Sequence, residues 1–534
     1  MGESEGRSPS VDYDGRMRLS AVVETSARVA ESSSRLQKVA LLADLLGQTS
    51  PEEIETVVEF LSGSPRQGRI GVGWAAIAAA RATPPAPEAS LAIAAVDDAF
   101  AQIAALSGSG SGRARAEALR RLFERATDGE QDFLGRLLFG ELRQGALEGV
   151  LVEAVARASK IPAANVRRAA MLAGALAPVA RAALTEGASA LQALAVQPFT
   201  PVQPMLADSA NGVDAALRDL GQASLEFKLD GARIQVHKAG DDVRVYSRNL
   251  RDVSAAVPEV VEAARALPAR DLILDGEAIA LRADGTPHPF QITMRRFGRK
   301  LDVDALRQTL PVHPFFFDCL YFDGEPLIDD PLVRRVDVLS RQTPGNLLVP
   351  RLVTADPGDA SAFLARALSA GHEGVMAKDI NGLYAAGRRG AAWLKIKNAR
   401  TLDLVVLAAE WGSGRRRGTL SNLHLGARDA GRGGFVMLGK TFKGLTDEML
   451  AWQTKKFLEL ELARDAHIVH VRPELVVEIA FNDIQESPHY PGRLALRFAR
   501  VKRYRTDKSA ADADTFETIQ KIYEQMTGLD APAR

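Results

Sequence analysis

The sequence predicts a multidomain chain of α and β structure: an all-α N-terminal domain, an α/β core and a small C-terminal β-barrel. Length is the first reason, because 534 residues exceed what one hydrophobic core holds and two to four domains are expected. The second is a change of period. From about 18 to 190, apolar residues recur at three- and four-residue spacing in Ala- and Leu-rich runs; beyond Pro204, short runs of β-formers alternate with helical stretches. The third is the proline-rich stretch from Pro198 to Pro204, which separates the two regimes.

Residues 1–17 form a polar, disordered extension, with Met17 an alternative start. In the helical domain, 18–192, Ser50-Pro-Glu-Glu53 reads as a capping box that starts a helix, with Ser50 as N-cap and proline at the first helical position. Gly63-Ser-Pro-Arg-Gln-Gly68 and Gly140-Glu-Leu-Arg-Gln-Gly145 repeat one G-x-x-R-Q-G pattern after apolar runs. Both are read either as plain glycine C-caps or as helix ends that offer an arginine and backbone N–H groups to phosphate. A linker, 193–206, leads to the core, 207–401, with strand-like runs at Leu225–Phe227, Arg233–His237, Val243–Tyr246, Leu272–Leu274, Phe315–Leu320 and Val375–Ala377. Helical stretches at Val257–Ala266 and Ala360–Ala370 interrupt them, giving antiparallel sheets within an α/β core. Residues 402–534 show short strands with glycine turns, Ala495–Val501 the last of them, followed by a helical tail.

Hydrophobic residues at 46% and charged residues at 25% describe a soluble globular chain, and no apolar run reaches membrane-spanning length. With no signal-peptide pattern either, the expected location is the cytoplasm. The single cysteine, Cys319, excludes an internal disulfide and a Cys-rich zinc site, and its Phe and Leu neighbours make it a buried core thiol. The 67 basic and 67 acidic residues cancel, yet Arg295 to Lys300, the pair Arg388 and Arg389, Arg415 to Arg417 and the 497–508 stretch gather positive charge. Such patches track phosphates or serve as solvated surface.

Lys228 lies in Glu226-Phe-Lys-Leu-Asp-Gly-Ala-Arg233, between a strand-like run and an Asp-Gly turn. A lysine attacks only when unprotonated, so it needs burial or nearby cations to depress its pKa. Taken alone, K-x-D-G is equally a strand ending in a turn with an exposed charge. Further blocks follow: Tyr246-Ser-Arg-Asn-Leu250, Leu274-Asp-Gly-Glu-Ala278, Phe315 to Phe322, Glu373-Gly-Val-Met-Ala-Lys378, Trp393-Leu-Lys-Ile-Lys397 and Arg497 to Lys508. In this order they resemble the motifs of the covalent nucleotidyltransferases, which include DNA ligases, RNA ligases and mRNA capping enzymes. The chain from roughly Ser33 to Lys508 is most similar to the bacterial, stand-alone, three-domain ATP-dependent DNA ligases.

The resemblance implies a helical DNA-binding domain, a nucleotidyltransferase (ATP-grasp-like) core and an OB-fold barrel. It implies ATP and Mg²⁺ as cofactors and nicked double-stranded DNA as partner, in replication, repair and recombination, by a monomer associated with the nucleoid. Lys228 would take AMP from ATP, pass it to a DNA 5′-phosphate and leave the 3′-hydroxyl to close the nick. Glu226 would read the adenine amino group, Phe317 would support the ring, and Arg233 and Arg248 would hold phosphate or ribose oxygens. Glu277 and Glu373 would serve nucleotide and magnesium. Lys395 and Lys397, alternating in a strand, point to one face and are expected to neutralise the α-phosphate and depress the pKa of Lys228. Arg389 matches an ATP-contacting arginine; Arg505, Asp507 and Lys508 would orient pyrophosphate from a closing domain. Arg66 and Arg143 are expected on the duplex backbone. A capping guanylyltransferase does not need the helical domain, and an RNA ligase does not account for Pro204-Met-Leu-Ala207 or Arg295-Arg296. A non-catalytic scaffold would be expected to have lost motif residues, and an NAD-dependent ligase typically carries four zinc-binding cysteines.

Overall fold

A computed structural model describes residues 16–142, 148–298, 303–386, 389–397, 400–527 and 530–532. Helices account for the chain between Leu19 and Gln192 among these residues, and they share one core that runs from Met17 to Leu191. The turn at Ser50 departs from the expected capping box. The helix begins at Ile54, and the Glu53 carboxylate accepts from the buried backbone N–H of Met17 at 3.0 Å as well as from the Ser50 hydroxyl at 2.9 Å. Glu53 is thus used to satisfy a donor that burial of Met17 would otherwise strand. The two repeated glycines, Gly63 and Gly140, both end helices in the left-handed conformation, at φ 88° and 69°. The two turns are neighbours, since a Cβ on Gly63 would lie 3.7 Å from Leu142.

The proline-rich linker is strapped down rather than loose. His237 Nδ1 accepts from the Phe199 N–H at 2.9 Å, Gln235 bonds both backbone groups of Val202, and Tyr246 donates to the Phe199 carbonyl at 3.2 Å. Met171 and Leu172 from the helical domain then share a buried cluster with Met205, Ile273, Leu320, Tyr384 and Trp393.

Among the described residues the core holds ten strands: β1 (Leu206–Ser209), β2 (Ala223–Phe227), β3 (Ala232–Ala239), β4 (Asp242–Ser247), β5 (Asp271–Ala280), β6 (Val312–Phe322), β7 (Glu325–Pro326), β8 (Arg351–Thr354), β9 (Gly374–Asp379) and β10 (Arg389–Lys397). They form two five-stranded sheets, β1-β10-β9-β2-β8 and β4-β3-β5-β6-β7, antiparallel except for the β1–β10 pair. Helices Val213–Leu220 and Pro357–Ser369 pack apolar faces on the first sheet, and Pro258–Arg265 on the second. The faces not covered by helices turn toward each other and leave a cleft.

The C-terminal region is a β-domain of β11 (Arg400–Trp411), β12 (Leu420–Arg428), β13 (Phe435–Thr441), β14 (Glu461–Arg464), β15 (Ile468–Val471), β16 (Val476–Phe481), β17 (Asp483–Glu486), β18 (Leu494–Arg497) and β19 (Arg500–Tyr504). The long β11 pairs with β12 along one edge and with β16 and then β15 along the other, which curls the sheet as a small barrel requires. The single strand expected over 495–501 is two, because Phe498 adopts φ 58° and turns the chain between β18 and β19. The tail helix, Phe516–Thr527, packs on this barrel.

Candidate active site

Lys228 follows β2, and its backbone is clamped to the start of β9: its N–H donates to the Gly374 carbonyl at 2.9 Å, and its carbonyl accepts from Glu373 at 3.2 Å. Gly374 permits this approach, since it sits at φ 144° and a Cβ there would lie 2.2 Å from the Ile396 carbonyl oxygen. The clamp brings the Glu373 carboxylate against the Lys228 ammonium, and Lys397 Nζ reaches the same carboxylate at 2.9 Å. Glu277, from β5, accepts from the Gly231 N–H at 3.2 Å. Gly231 is needed there, because a Cβ would come within 2.2 Å of the Ile279 side chain.

These charges set the protonation of the site. Burial works to neutralise the Lys228 amine, but the Glu373 carboxylate, with Glu277 and Asp230, outweighs it and holds the amine above its ordinary pKa. This corrects the expectation that Lys395 and Lys397 lower it. Glu373 neutralises Lys397, and Lys395 donates to the Ala207 carbonyl at 3.0 Å. Burial pushes Glu277 up to about 7, and burial with the nearby Glu373 charge pushes Asp230 up to about 6.

Between the two sheets lies a cavity of about 730 Å³ lined by Glu226, Lys228, Arg233, Arg248, Glu277, Phe317, Lys395 and Lys397. Eight of the residues singled out in the sequence therefore meet in one place. Three details differ from expectation. Arg233 turns its fork to protein, donating to the Met205 carbonyl at 2.6 Å and to Asp275 at 2.8 Å, with its guanidinium over Phe317 and Trp393. Glu226 is 2% exposed, and its carboxylate is gripped by Arg351 at 2.7 Å and Lys378 at 2.5 Å. Glu373 stands at the rim of a second cavity of about 480 Å³, shared with Asp230, Lys397, Arg400 and Asp483.

Arg505, Asp507 and Lys508 line neither cavity. Arg505 and Lys508 bind Asp403 of β11 at 2.8 and 2.6 Å, and Asp507 pairs with Arg505, so all three are neutralised within the barrel. The residue of that block that does face the core is Arg497, 3.6 Å from Asp230 and over the Phe290 ring. Arg66 is tied by two nitrogens to Asp97, the shorter contact 2.6 Å, and braces its loop on helix Ile93–Ala105 instead of presenting a bare cation. Arg143 and the Arg389 side chain lie outside the described residues.

Sequence reasoning missed Lys378, Arg351, Trp393, Asp275 and Tyr384. Lys378 and Trp393 stood inside blocks already singled out; Arg351 carried no signal, as it reaches Glu226 only through the β2–β8 pairing. Among the described residues no three His, Cys, Asp or Glu side chains cluster as a metal site.

A cleft between two largely antiparallel sheets, with a buried lysine set among carboxylates and cations and a barrel beside it, is the layout of a nucleotidyltransferase. Residues 204–397 match the ATP dependent DNA ligase domain, 416–508 the ATP dependent DNA ligase C terminal region and 75–156 the DNA ligase N terminus. A "Probable DNA ligase" of Anaeromyxobacter sp. (strain Fw109-5) is 60% identical over 516 residues, covering 96% of this chain and 99% of its own. That of Anaeromyxobacter dehalogenans (strain 2CP-C) is 60% identical over 512 residues, covering 95% and 100%. A solved structure named "Pmar-Lig_PreS3" shares the fold, with a TM-score of 0.59 at 20% identity over 91% of this chain and 99% of that one. The chain belongs to the ATP-dependent DNA ligase family. It uses ATP to seal nicks in duplex DNA, and no helix among the described residues is long and apolar enough to cross a membrane.

Proposed function

We propose that sealing runs through Lys228 in three phosphoryl transfers. The Lys228 nitrogen attacks the α-phosphorus of ATP, the bond to pyrophosphate breaks, and a lysyl-AMP forms. A DNA 5′-phosphate oxygen then displaces the lysine, and the 3′-hydroxyl displaces AMP to form the phosphodiester. What carries this reading is the position of the Lys228 amine on the cavity wall, at the end of β2 where the chain meets β9, paired to Glu373 and flanked by Lys397.

 The cavity's own residues supply the surroundings: Phe317 a face for the base, Glu226 an acceptor for the adenine amine, and Arg248, Lys395 and Lys397 positive charge for phosphate. Arg233 acts by holding the pocket wall through Asp275.

Glu277 and Glu373 are the carboxylates suited to Mg²⁺, which when bound neutralises phosphate charge. Arg389 is proposed to contact ATP, and Arg505, Asp507 and Lys508 to orient pyrophosphate after the barrel rotates and Asp403 releases them. Arg66, through its braced loop, and Arg143 are proposed to serve the duplex backbone. The enzyme is proposed to act as a monomer in the cytoplasm, at the nucleoid; the domain divisions expected at 192 and 206 are kept, while those at 17 and 401 move, because Met17 is buried in the helical core and β11 of the barrel already begins at Arg400. The test incubates protein freed of AMP with α-labelled ATP and Mg²⁺ and then adds a nicked duplex. Label captured by wild type and chased as the nick closes, with none on Lys228→Ala, is the expected result; label on Lys228→Ala refutes the assignment.

A further inference from the structure

Arg248 and Asn249 reach the nucleotide cavity from a three-residue turn between Ser247 and Arg251. The Leu250 N–H donates to the Ser247 carbonyl at 2.8 Å, and the Ser247 N–H to the Arg251 carbonyl at 2.9 Å. Leu250, the last residue of the turn, is left-handed at φ 58°, a position where glycine or asparagine is the ordinary occupant. A leucine persists there only if packing holds its side chain. The helical domain supplies that packing. Its helix Ala163–Ala173 ends at Gly174, φ 73°, where an added Cβ would lie 3.1 Å from Leu250 Cδ1 and 2.6 Å from the Pro201 carbonyl oxygen. Gly174 thus leaves open the space that Leu250 and the linker fill. The same helix end is fastened to its surroundings by the Gln203 N–H, which donates to the Met171 carbonyl at 3.0 Å, and by the Ala386 N–H, which meets the Met171 sulfur at 3.2 Å. Neither Leu250 nor Gly174 lines the cavity itself.

We propose that Leu250 is a positioning residue that couples the helical domain to the nucleotide: seated against Gly174 and Pro201, it fixes the turn that carries Arg248, so that docking of the helical domain sets the affinity for ATP. This rests on the reading that the cavity takes ATP and that Arg248 supplies charge to its phosphates. An arginine on a free turn loses conformational entropy each time it binds phosphate; one whose turn is already seated loses less, and ATP binds more tightly. The contact is made in the ground state as well as in the transition state. It therefore sets the half-saturating ATP concentration and leaves the maximal rate of self-adenylation nearly unchanged.

The experiment measures the rate of self-adenylation of the intact protein, freed of AMP, against ATP concentration for wild type, Leu250→Gly, Leu250→Met, Gly174→Asn and Arg248→Ala. Leu250→Gly keeps the left-handed turn and removes the anchor. It is expected to raise the half-saturating ATP concentration about 10-fold, the lower end for a hydrogen bond to a charged group, with little change in the maximal rate. Leu250→Met refills the space and is expected to stay near wild type. Gly174→Asn tolerates the left-handed conformation and pushes a side chain into the space of Leu250, so the same rise is expected from a substitution in the helical domain. In the Arg248→Ala background Leu250→Gly is expected to add nothing, since it acts through Arg248. A half-saturating concentration unchanged by Leu250→Gly, or raised by the same factor with and without Arg248, overturns the proposal. If Gly174→Asn does not fold, the Leu250→Gly and Arg248→Ala cycle alone decides. An Arg248→Ala protein that binds ATP as wild type does, or a wild type that ATP never labels, would instead overturn the reading of the cavity on which this one stands.

Discussion

Replacing Glu373 by glutamine should move the pH dependence of self-adenylation to lower pH. In the structure Glu373 holds both Lys228 and Lys397, and the Lys228 and Glu373 side chains are only 19% and 17% exposed, so solvent screens the pair little. The glutamine keeps the shape and removes the negative charge. A charge-assisted contact of this kind contributes about 1.5–3 kcal/mol. At 1.36 kcal/mol per pKa unit, losing it lowers the Lys228 pKa by about 1–2 units. The sign follows from the charge: without its anionic partner the ammonium is less stable, the amine deprotonates earlier, and Lys397, no longer neutralised, repels it further. The assay is a single-turnover measurement of labelled AMP captured from ATP between pH 5 and 9, with each rate extrapolated to saturating Mg²⁺ so that weakened metal binding does not imitate the shift. The ascending limb in Glu373→Gln should lie about 1–2 units below that of wild type. A limb that stays in place, or moves up, would refute the idea that Glu373 sets the protonation of Lys228.

Asp318 and Arg335 are fully buried and joined by two contacts of 2.8 and 2.9 Å, so Asp318→Asn strands a guanidinium and should lower stability by about 3–5 kcal/mol; an unchanged denaturant midpoint for the core would contradict this. Gly231→Ala has no room for its methyl group beside Ile279 and the Ala278 carbonyl, and displacing the turn that holds Glu277 should slow self-adenylation about 100-fold; a rate near wild type would show that the turn is more pliant than its packing implies. Burial depresses the His237 pKa to about 3, so the unfolded chain binds the proton first, and the stability of the strapped linker is complete above about pH 6.5 and lost as pH falls toward 3. Denaturation midpoints of His237→Gln should therefore vary less with pH across that window than those of wild type, and parallel curves would exclude His237 as the cause.

Much of the site was legible because its residues sit in short segments whose geometry is local. Lys395 and Lys397 share a face because strand side chains alternate, and both do line the cavity. Glu226 and Lys228 flank the end of a strand, and Asp-Gly after them makes the turn that carries Gly231. The paired glycine turns, Gly63 and Gly140, were legible for the same reason, as each closes a helix of its own.

What the sequence could not tell was which charge faces which. Arg351 meets Glu226 across 125 residues, Arg505 meets Asp403 across 102, Arg66 meets Asp97, and the Glu53 carboxylate reaches across 36 residues to Met17. The sequence by itself therefore determined most of the succession of helices, strands and turns and the motif residues from Glu226 to Lys397 that line the cavity, because backbone preference and side-chain alternation act over a few positions. Only the tertiary structure decided that Lys228 is paired, that Lys378 is buried between the Phe317 and Trp393 rings and that the last motif is tied to its own barrel. A charge interacts with whatever packing brings within a few ångströms, and that is set by strands distant in the chain.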